Sequence, residues 1–70
     1  MIWRAECETR NFSLEAYGHT KEEALRAMAR MWDDWRAHTG ATLTTQEIID
    51  DCSTYMVGPG LAYMDKEEYR

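Results

Sequence analysis

The junction at residues 18–28 constrains the fold of this chain more than any other stretch of its sequence. Gly18 suits a positive φ at the end of a strand. Thr20 and Glu23 have the spacing of a capping box, in which a hydroxyl and a carboxylate each accept a hydrogen bond from a backbone amide at a helix start. Apolar residues follow at steps of three and four: Leu25, Met28, Met31, Trp32 and Trp35. That period predicts an amphipathic helix over about residues 21–38.

Two segments ahead of the junction alternate between apolar and polar residues, as strands with one buried face do. The inward set comprises Trp3, Ala5 and Cys7 in the first segment and Phe12, Leu14 and Ala16 in the second. Tyr17 falls on the outward face, and residues 9–11 between the segments are suited to a hairpin loop. The sequence therefore predicts a hairpin that packs its inner face on the helix, in two layers around one core.

A second helix start follows the end of the first helix. Thr44 and Glu47 form another capping box. Leu43 and Ile48 have the spacing of a hydrophobic staple across that helix start. Together these signals predict a short helix over about residues 45–52.

Glycine and proline mark the remaining boundaries. Gly40 is suited to end the first helix. Residues 53–57 favour a strand, and the Gly-Pro-Gly segment at residues 58–60 favours a turn, after which residues 61–64 can return as a second strand. The predicted fold is one α+β domain of residues 1–70, with an N-terminal β-hairpin packed on one long amphipathic helix. A short helix follows, and then a C-terminal β-hairpin or an irregular loop.

The pattern Gly-x-Thr-x-Glu-Glu-Ala-Leu at residues 18–25, after the predicted strand pair, resembles the HicB-type antitoxin domain and its relatives. The resemblance covers residues 2–35 and implies a small β-β-(β)-α-β fold with an antitoxin-like role in binding a partner protein. Residues 9–12, Thr-Arg-Asn-Phe, stand where that family usually has a segment containing proline or glycine. Members that repress their own operon carry a helix-turn-helix or ribbon-helix-helix extension. No such extension is recognisable in this sequence, so the resemblance does not imply DNA binding.

The net charge of the chain limits the classes of molecule that it is expected to bind. Eight Lys and Arg against thirteen Asp and Glu give a formal net charge of −5 at pH 7, whereas binding to a phosphate backbone needs clustered basic residues. We therefore expect no direct binding to nucleic acid, and a basic or mixed-charge protein partner is favoured.

A chain of 70 residues is near the lower limit for a core held by burial alone. A homodimer would be an economical way to cover its apolar surface.

Neither a reactive site nor a membrane location is predicted. Cys7, Cys52, His19 and His38 lack the paired spacing of metal ligands. The acidic residues come in doublets, but neighbouring helix residues point about 100° apart, so no doublet converges on a substrate. We expect neither an enzyme nor a cofactor. With two cysteines, no long apolar run and no signal-peptide pattern, we expect a cytoplasmic protein of a bacterium or of a phage-infected bacterial cell.

The leading hypothesis is a non-enzymatic protein-binding module, either antitoxin-like or a small phage-type inhibitor of a host or defence protein. Tyrosine favours recognition surfaces because it combines an apolar ring with a polar tip, and a C-terminal hairpin would bring an aromatic centre next to an acidic rim. The candidate partner-binding residues are Tyr17, Tyr55, Tyr63, Asp50 and Asp51. The competing interpretation of Tyr55 and Tyr63 is that both rings pack against the helix stripe.

A second hypothesis comes from a different class of function. The chain would be an oligomeric small-molecule binder, for example of a nucleotide signal held at subunit interfaces. The basic residues available to face such a pocket, together with a tyrosine, are Arg4, Arg10 and the pair Arg26 and Arg30.

Overall fold

The computed structural model describes residues 1–60 and the backbone of two short strands further along the chain. The elements, in chain order, are β1 (Ile2–Glu8), β2 (Ser13–Gly18), α1 (Lys21–Thr39), α2 (Thr45–Asp51), β3 (Ser53–Val57), β4 (Tyr63–Met64) and β5 (Glu67–Glu68). The predicted α+β class is confirmed, with hairpin, long helix, short helix and strand in the expected order. Both helices agree with the prediction to within one residue at each end.

Strands β1, β2 and β3 form one antiparallel sheet in the order β2-β1-β3. The segment predicted to begin a C-terminal hairpin is the third strand of this sheet, with Tyr55 opposite Arg4 of β1. A third strand is favourable because an isolated two-stranded hairpin is only marginally stable in water. The backbone of β4 pairs antiparallel with β5 and not with β3, so it does not form the predicted hairpin with residues 53–57; Tyr63 stands opposite Glu68.

The turn between β2 and α1 brings the two elements into close contact. The hydroxyl of Thr20 caps α1 by accepting a hydrogen bond from the Glu23 amide at 3.1 Å. The Glu23 carboxylate accepts from the amide of His19 at 3.3 Å, one residue before the position expected for a capping box. Gly18 does not have the predicted positive φ. Glycine is needed there for a different reason, since a Cβ would lie 2.5 Å from the Ala24 nitrogen.

The end of α1 and the start of α2 follow the sequence prediction. Gly40 has a left-handed φ of 69°, and its N–H donates to the Arg36 carbonyl. The capping box of α2 is complete: the Thr44 hydroxyl accepts from the Glu47 amide, and the Glu47 carboxylate accepts from the Thr44 amide, both at 3.1 Å. The connection between the helices is therefore short and fixed at both ends.

The core lies between the inner face of the sheet and the two helices. Its buried residues are Ala5, Cys7, Ala16, Ala24, Met28, Trp32 and Ile48. Ala5 and Ala16 stand opposite each other on β1 and β2, and these small side chains let α1 approach the sheet closely. The larger buried volume comes from Met28 and Trp32, both predicted to face inward.

Three residues that were predicted to face the core are exposed instead. Phe12 is 43% exposed, Met31 39% and Trp35 41%. Strand β2 begins at Ser13, so Phe12, which contacts Trp35, lies beyond the end of the sheet. The apolar stripe of α1 therefore extends beyond the surface available to bury it.

Candidate functional site

A depression of about 210 Å³ lies between the start of β2 and the second half of α1. We call it the aromatic groove. It is lined by Phe12, Leu14, Met31, Trp32 and Trp35. Its exposed lining is entirely apolar, whereas a catalytic site needs converging polar groups. The three exposed residues around it, Phe12, Met31 and Trp35, are of the types enriched in protein interfaces.

Phe12 and Trp35 form the exposed end of the groove. Their ring centroids are 5.4 Å apart and their planes are inclined by 79°, the edge-to-face arrangement that aromatic pairs favour. The hairpin loop fixes the position of Phe12. Its amide donates to the Thr9 hydroxyl at 3.0 Å, and its carbonyl accepts from the Thr9 amide at 2.8 Å. The groove is therefore formed by the chain alone, before any partner is present.

The side of α1 that carries Trp32 and Arg36 is covered by the connection to α2. The Trp32 indole N–H donates to the Leu43 carbonyl at 2.9 Å, and the Arg36 guanidinium donates to the Ala41 carbonyl at 3.3 Å. These bonds hold the connection to α2 against that side of the helix, where Trp32 is only 3% exposed. Met31, the preceding residue of α1, lines the groove together with Leu14 of β2.

Sequence periodicity assigned the exposed residues of the groove to the core and so missed this surface. One signal in the sequence could have found it. Phe12 directly follows the predicted loop, so any helix residue that contacts it must lie where the sheet ends. No comparable signal indicated that the backbone of Leu43 would cover Trp32 and leave Trp35 open, because that contact depends on the path of a later segment.

A second aromatic surface lies on the outer face of the sheet. Arg4 stands between Tyr17 and Tyr55 on the neighbouring strands, and its guanidinium carbon lies 5.9 Å from the centroid of each ring. The guanidinium also contacts the carboxylate of Glu15 at 2.8 Å and that of Glu6 at 3.9 Å. We call these five residues the outer-face cluster. Its charged groups are paired within the chain.

The two tyrosines of the cluster differ in how firmly they are held. The Tyr55 hydroxyl donates to the Glu6 carboxylate at 2.6 Å. Burial raises the pKa of Tyr55 to about 12, and the hydrogen bond to Glu6 acts in the same direction. Tyr17 is 44% exposed, and its predicted outward orientation is confirmed. Tyr55 shares this outer face and does not pack against the helix stripe.

The predicted acidic residues lie on a different side of the sheet. The Asp51 carboxylate accepts a hydrogen bond from the thiol of Cys7 at 3.5 Å, and Cys7 belongs to the buried inner face. Asp50 accepts from the side-chain amide of Gln46 at 2.7 Å on the surface of α2. The aspartates are therefore separated from the outer-face cluster by the sheet itself. The side chain of Tyr63 lies outside the described residues.

The two cysteines do not form a reactive pair. Burial raises the pKa of Cys7 to about 12, and its hydrogen bond to Asp51 adds to the effect. Burial is also the main cause that raises the pKa of Cys52. Because the thiolate is the nucleophilic form of cysteine, both shifts disfavour reaction of these thiols. Within the described part of the chain, no group of three His, Cys, Asp or Glu residues is placed to hold a metal ion.

None of the helices among the described residues is both long and apolar enough to cross a membrane. No family model matches this chain, and no curated protein or solved structure is similar enough to it to count as a match. The resemblance of residues 2–35 to the HicB-type antitoxin domain therefore stays a prediction.

Proposed function

We propose that this chain is a non-enzymatic protein-binding module and that it holds its partner on the aromatic groove. One observation carries the proposal. Phe12, Met31 and Trp35 lie side by side, each about two-fifths exposed, around a depression with an entirely apolar lining. Aromatic and methionine side chains are enriched in protein interfaces, where a few such residues act as anchors.

The charge of the chain supports a basic or mixed-charge protein as the partner. The formal net charge of −5 favours encounter with a basic surface. The narrower role, as an antitoxin-like module or as a small phage-type inhibitor of a host or defence protein, rests on the sequence resemblance of residues 2–35. A toxin or a defence protein is accordingly the first partner to test.

The outer-face cluster supports partner binding less well than the groove does. Both tyrosine rings already contact Arg4, and the Tyr55 hydroxyl is bound by Glu6. The Arg4 guanidinium is likewise paired with Glu15, which weighs against a role in binding the phosphate of a nucleotide. In our proposal Tyr17 lies at the rim of the interface and is not one of its anchor residues.

The experiment compares two methionines of similar exposure. Met31 lies in the groove and is 39% exposed, whereas Met56 lies on β3 and is 42% exposed. A display library of protein fragments from the source organism is selected on the unaltered protein. Binding of the enriched fragments is then measured against Met31→Gln and Met56→Gln.

We expect Met31→Gln to weaken binding by about 1–3 kcal/mol, the usual cost of losing an interface anchor, and Met56→Gln to leave it unchanged. Thermal melts of both variants check that neither change unfolds the domain. Enriched fragments that bind both variants equally, or no enriched fragment at all, would show that the groove is not a protein-binding site.

A further inference from the structure

Strand β2 forms one edge of the three-stranded sheet. Its ladder with β1 continues from the hairpin loop, where the Thr9 amide donates to the Phe12 carbonyl. Hydrogen-bonded pairs alternate along an antiparallel ladder, so the backbone groups of Leu14 are directed to β1. Those of Glu15 and Tyr17 are directed away from the sheet. The edge of β2 thus presents donors and acceptors that a further strand can pair with.

The aromatic groove borders this edge. Leu14 of β2 lines the groove from below, and Met31 of α1 lines it from above. The connection to α2 borders the groove at Trp32, whose indole N–H donates to the Leu43 carbonyl. A chain segment laid along β2 would direct every second side chain to the inner face of the sheet, since side chains alternate between the two faces. Those beside Phe12 and Leu14 would enter the groove.

We propose that the partner supplies an extended strand, which pairs with the edge of β2 and inserts alternate apolar side chains into the aromatic groove. This inference rests on the proposed function and names the form of the partner. Strand addition of this kind takes affinity from main-chain hydrogen bonds and specificity from pockets for alternate side chains. The groove supplies such a pocket beside an edge strand.

The size of the groove supports an added strand. Phe12, Met31 and Trp35 together expose on the order of 250 Å² if each side chain has a typical area of about 200 Å². A standard interface buries about 800 Å² per partner. The groove can therefore supply the anchors of an interface but not its whole area, and strand pairing along β2 would extend it.

The charge on the outer face favours a foreign strand over a second copy of this chain. The Glu15 side chain, in the middle of β2, is 55% exposed. A second copy paired antiparallel with β2 in the register centred on Glu15 would place its own Glu15 directly opposite, and like charges opposite each other destabilise a sheet. Two carboxylates, those of Glu6 and Glu15, share the one guanidinium of Arg4, so a partner strand with Lys or Arg at that position would complement the remaining negative charge. The partner we infer thus alternates apolar residues toward the groove with basic residues toward the outer face.

The test uses the full chain and a display library of short segments, about ten residues long, in which apolar positions alternate with Lys or Arg. One enriched segment is synthesised in three forms: unmodified, and N-methylated on either of the two alternating sets of backbone amides. Only one set can face β2 in an added strand. We expect the peptide methylated on that set to bind at least about 10-fold more weakly, and the other to bind like the unmodified peptide.

Two further measurements locate the peptide. The unmodified peptide should slow hydrogen exchange of the Glu15 and Tyr17 amides, because both would enter new hydrogen bonds. Glu15→Lys should weaken its binding by about 10-fold, and a peptide with Glu in place of its basic residues should recover it, since the opposite charges are restored. Glu22→Lys, an exposed change on α1, is the matched control and should have no effect.

Three results would overturn the strand inference. These are no enriched segment, equal effects of the two methylation patterns, or slowed exchange on β3 in place of β2. A dimer of the free protein that Glu15→Gln strengthens would identify a second copy as the occupant. If protein fragments bind in a Met31-dependent way while the strand peptides fail, the proposed function stands and only the inferred form of the partner is wrong.

Discussion

Helix α1 has one covered side and one open side, and its two neighbouring tryptophans illustrate the difference. Trp32 is 3% exposed and donates its indole N–H to the Leu43 carbonyl. Trp35, one turn later, is 41% exposed and contacts Phe12 in the hairpin loop. Both belong to the same apolar stripe. Whether a residue of such a stripe is buried therefore depends on which later segment of the chain packs over it. The apolar stripe alone does not determine its burial.

The largest effect should come from removing the covered tryptophan. We expect Trp32→Ala to destabilise the domain by about 3–5 kcal/mol, the usual cost of deleting a buried aromatic side chain. Trp35→Ala should cost about 1 kcal/mol, mainly through the aromatic contact with Phe12. Urea denaturation of the two variants measures the contrast. Equal losses would mean that both sides of α1 contribute alike to the core.

Gly18→Ala tests the close contact between the end of β2 and the start of α1. A Cβ at this position would meet the Ala24 nitrogen at 2.5 Å and the backbone carbon of Glu23 at 2.8 Å, so strand and helix must move apart. We expect a loss of about 1–3 kcal/mol, as for other overpacked positions. Gly40→Ala is a useful comparison because a Cβ there has no neighbour within 4 Å; its cost comes from the left-handed backbone alone. An unchanged denaturation midpoint for Gly18→Ala would show that the close contact is absent in solution.

Removing the N-cap of α2 should destabilise the domain less, and it should affect the surroundings of Trp32 but not those of Trp35. Thr44→Ala removes a hydroxyl that accepts the Glu47 amide, and losing such a cap costs about 1 kcal/mol. Because α2 holds the connection over Trp32, the indole N–H of Trp32 should also exchange faster in this variant. Hydrogen exchange by NMR checks that effect. The Trp35 indole serves as the internal control and should not respond.

The smallest effect on stability is expected on the open side. Met31→Gln should change the free energy of unfolding by about 0.5 kcal/mol or less, as exposed substitutions usually do. It should nevertheless lower the fluorescence of a dye that binds exposed apolar surface, because Met31 lines the groove. Met56→Gln gives the matched baseline for the dye. A loss of stability as large as that of Trp32→Ala would place Met31 in the core.

Local signals predicted most of the fold. The capping residues Thr20 and Thr44 and the αL glycine Gly40 act within one or two turns of the chain, so they set the helix boundaries almost to the residue. The pairing of β3 with β1 was not predicted, because it joins residues separated by about fifty positions along the sequence. The role of Gly18 was also misassigned, since close approach to another element leaves no local mark.

The candidate site was predicted less well than the fold. Tyr17 was predicted to face outward, whereas the position of Tyr55 was left open between the surface and the helix stripe. The sequence could not show that Arg4 lies between the two rings or that Glu6 binds the Tyr55 hydroxyl. The apolar residues of the groove were assigned to the core because periodicity reports only which residues share a face. Whether that face is covered is a property of the whole fold.

The burial of Tyr55 and its hydrogen bond to Glu6 link folding to proton uptake at alkaline pH. The pKa of Tyr55 is raised from 10.0 to about 12 in the folded chain, so between these values the unfolded chain releases this proton while the folded chain keeps it. Stability contributed by the protonated hydroxyl is therefore full below pH 10 and falls as the pH rises toward 12. Tyr55→Phe should show a shallower decline of unfolding free energy over that range, because it lacks the hydroxyl. The other tyrosines are the same in both proteins and so cancel in the comparison. Parallel declines would mean that the Tyr55 hydroxyl is neither buried nor held by Glu6 in solution.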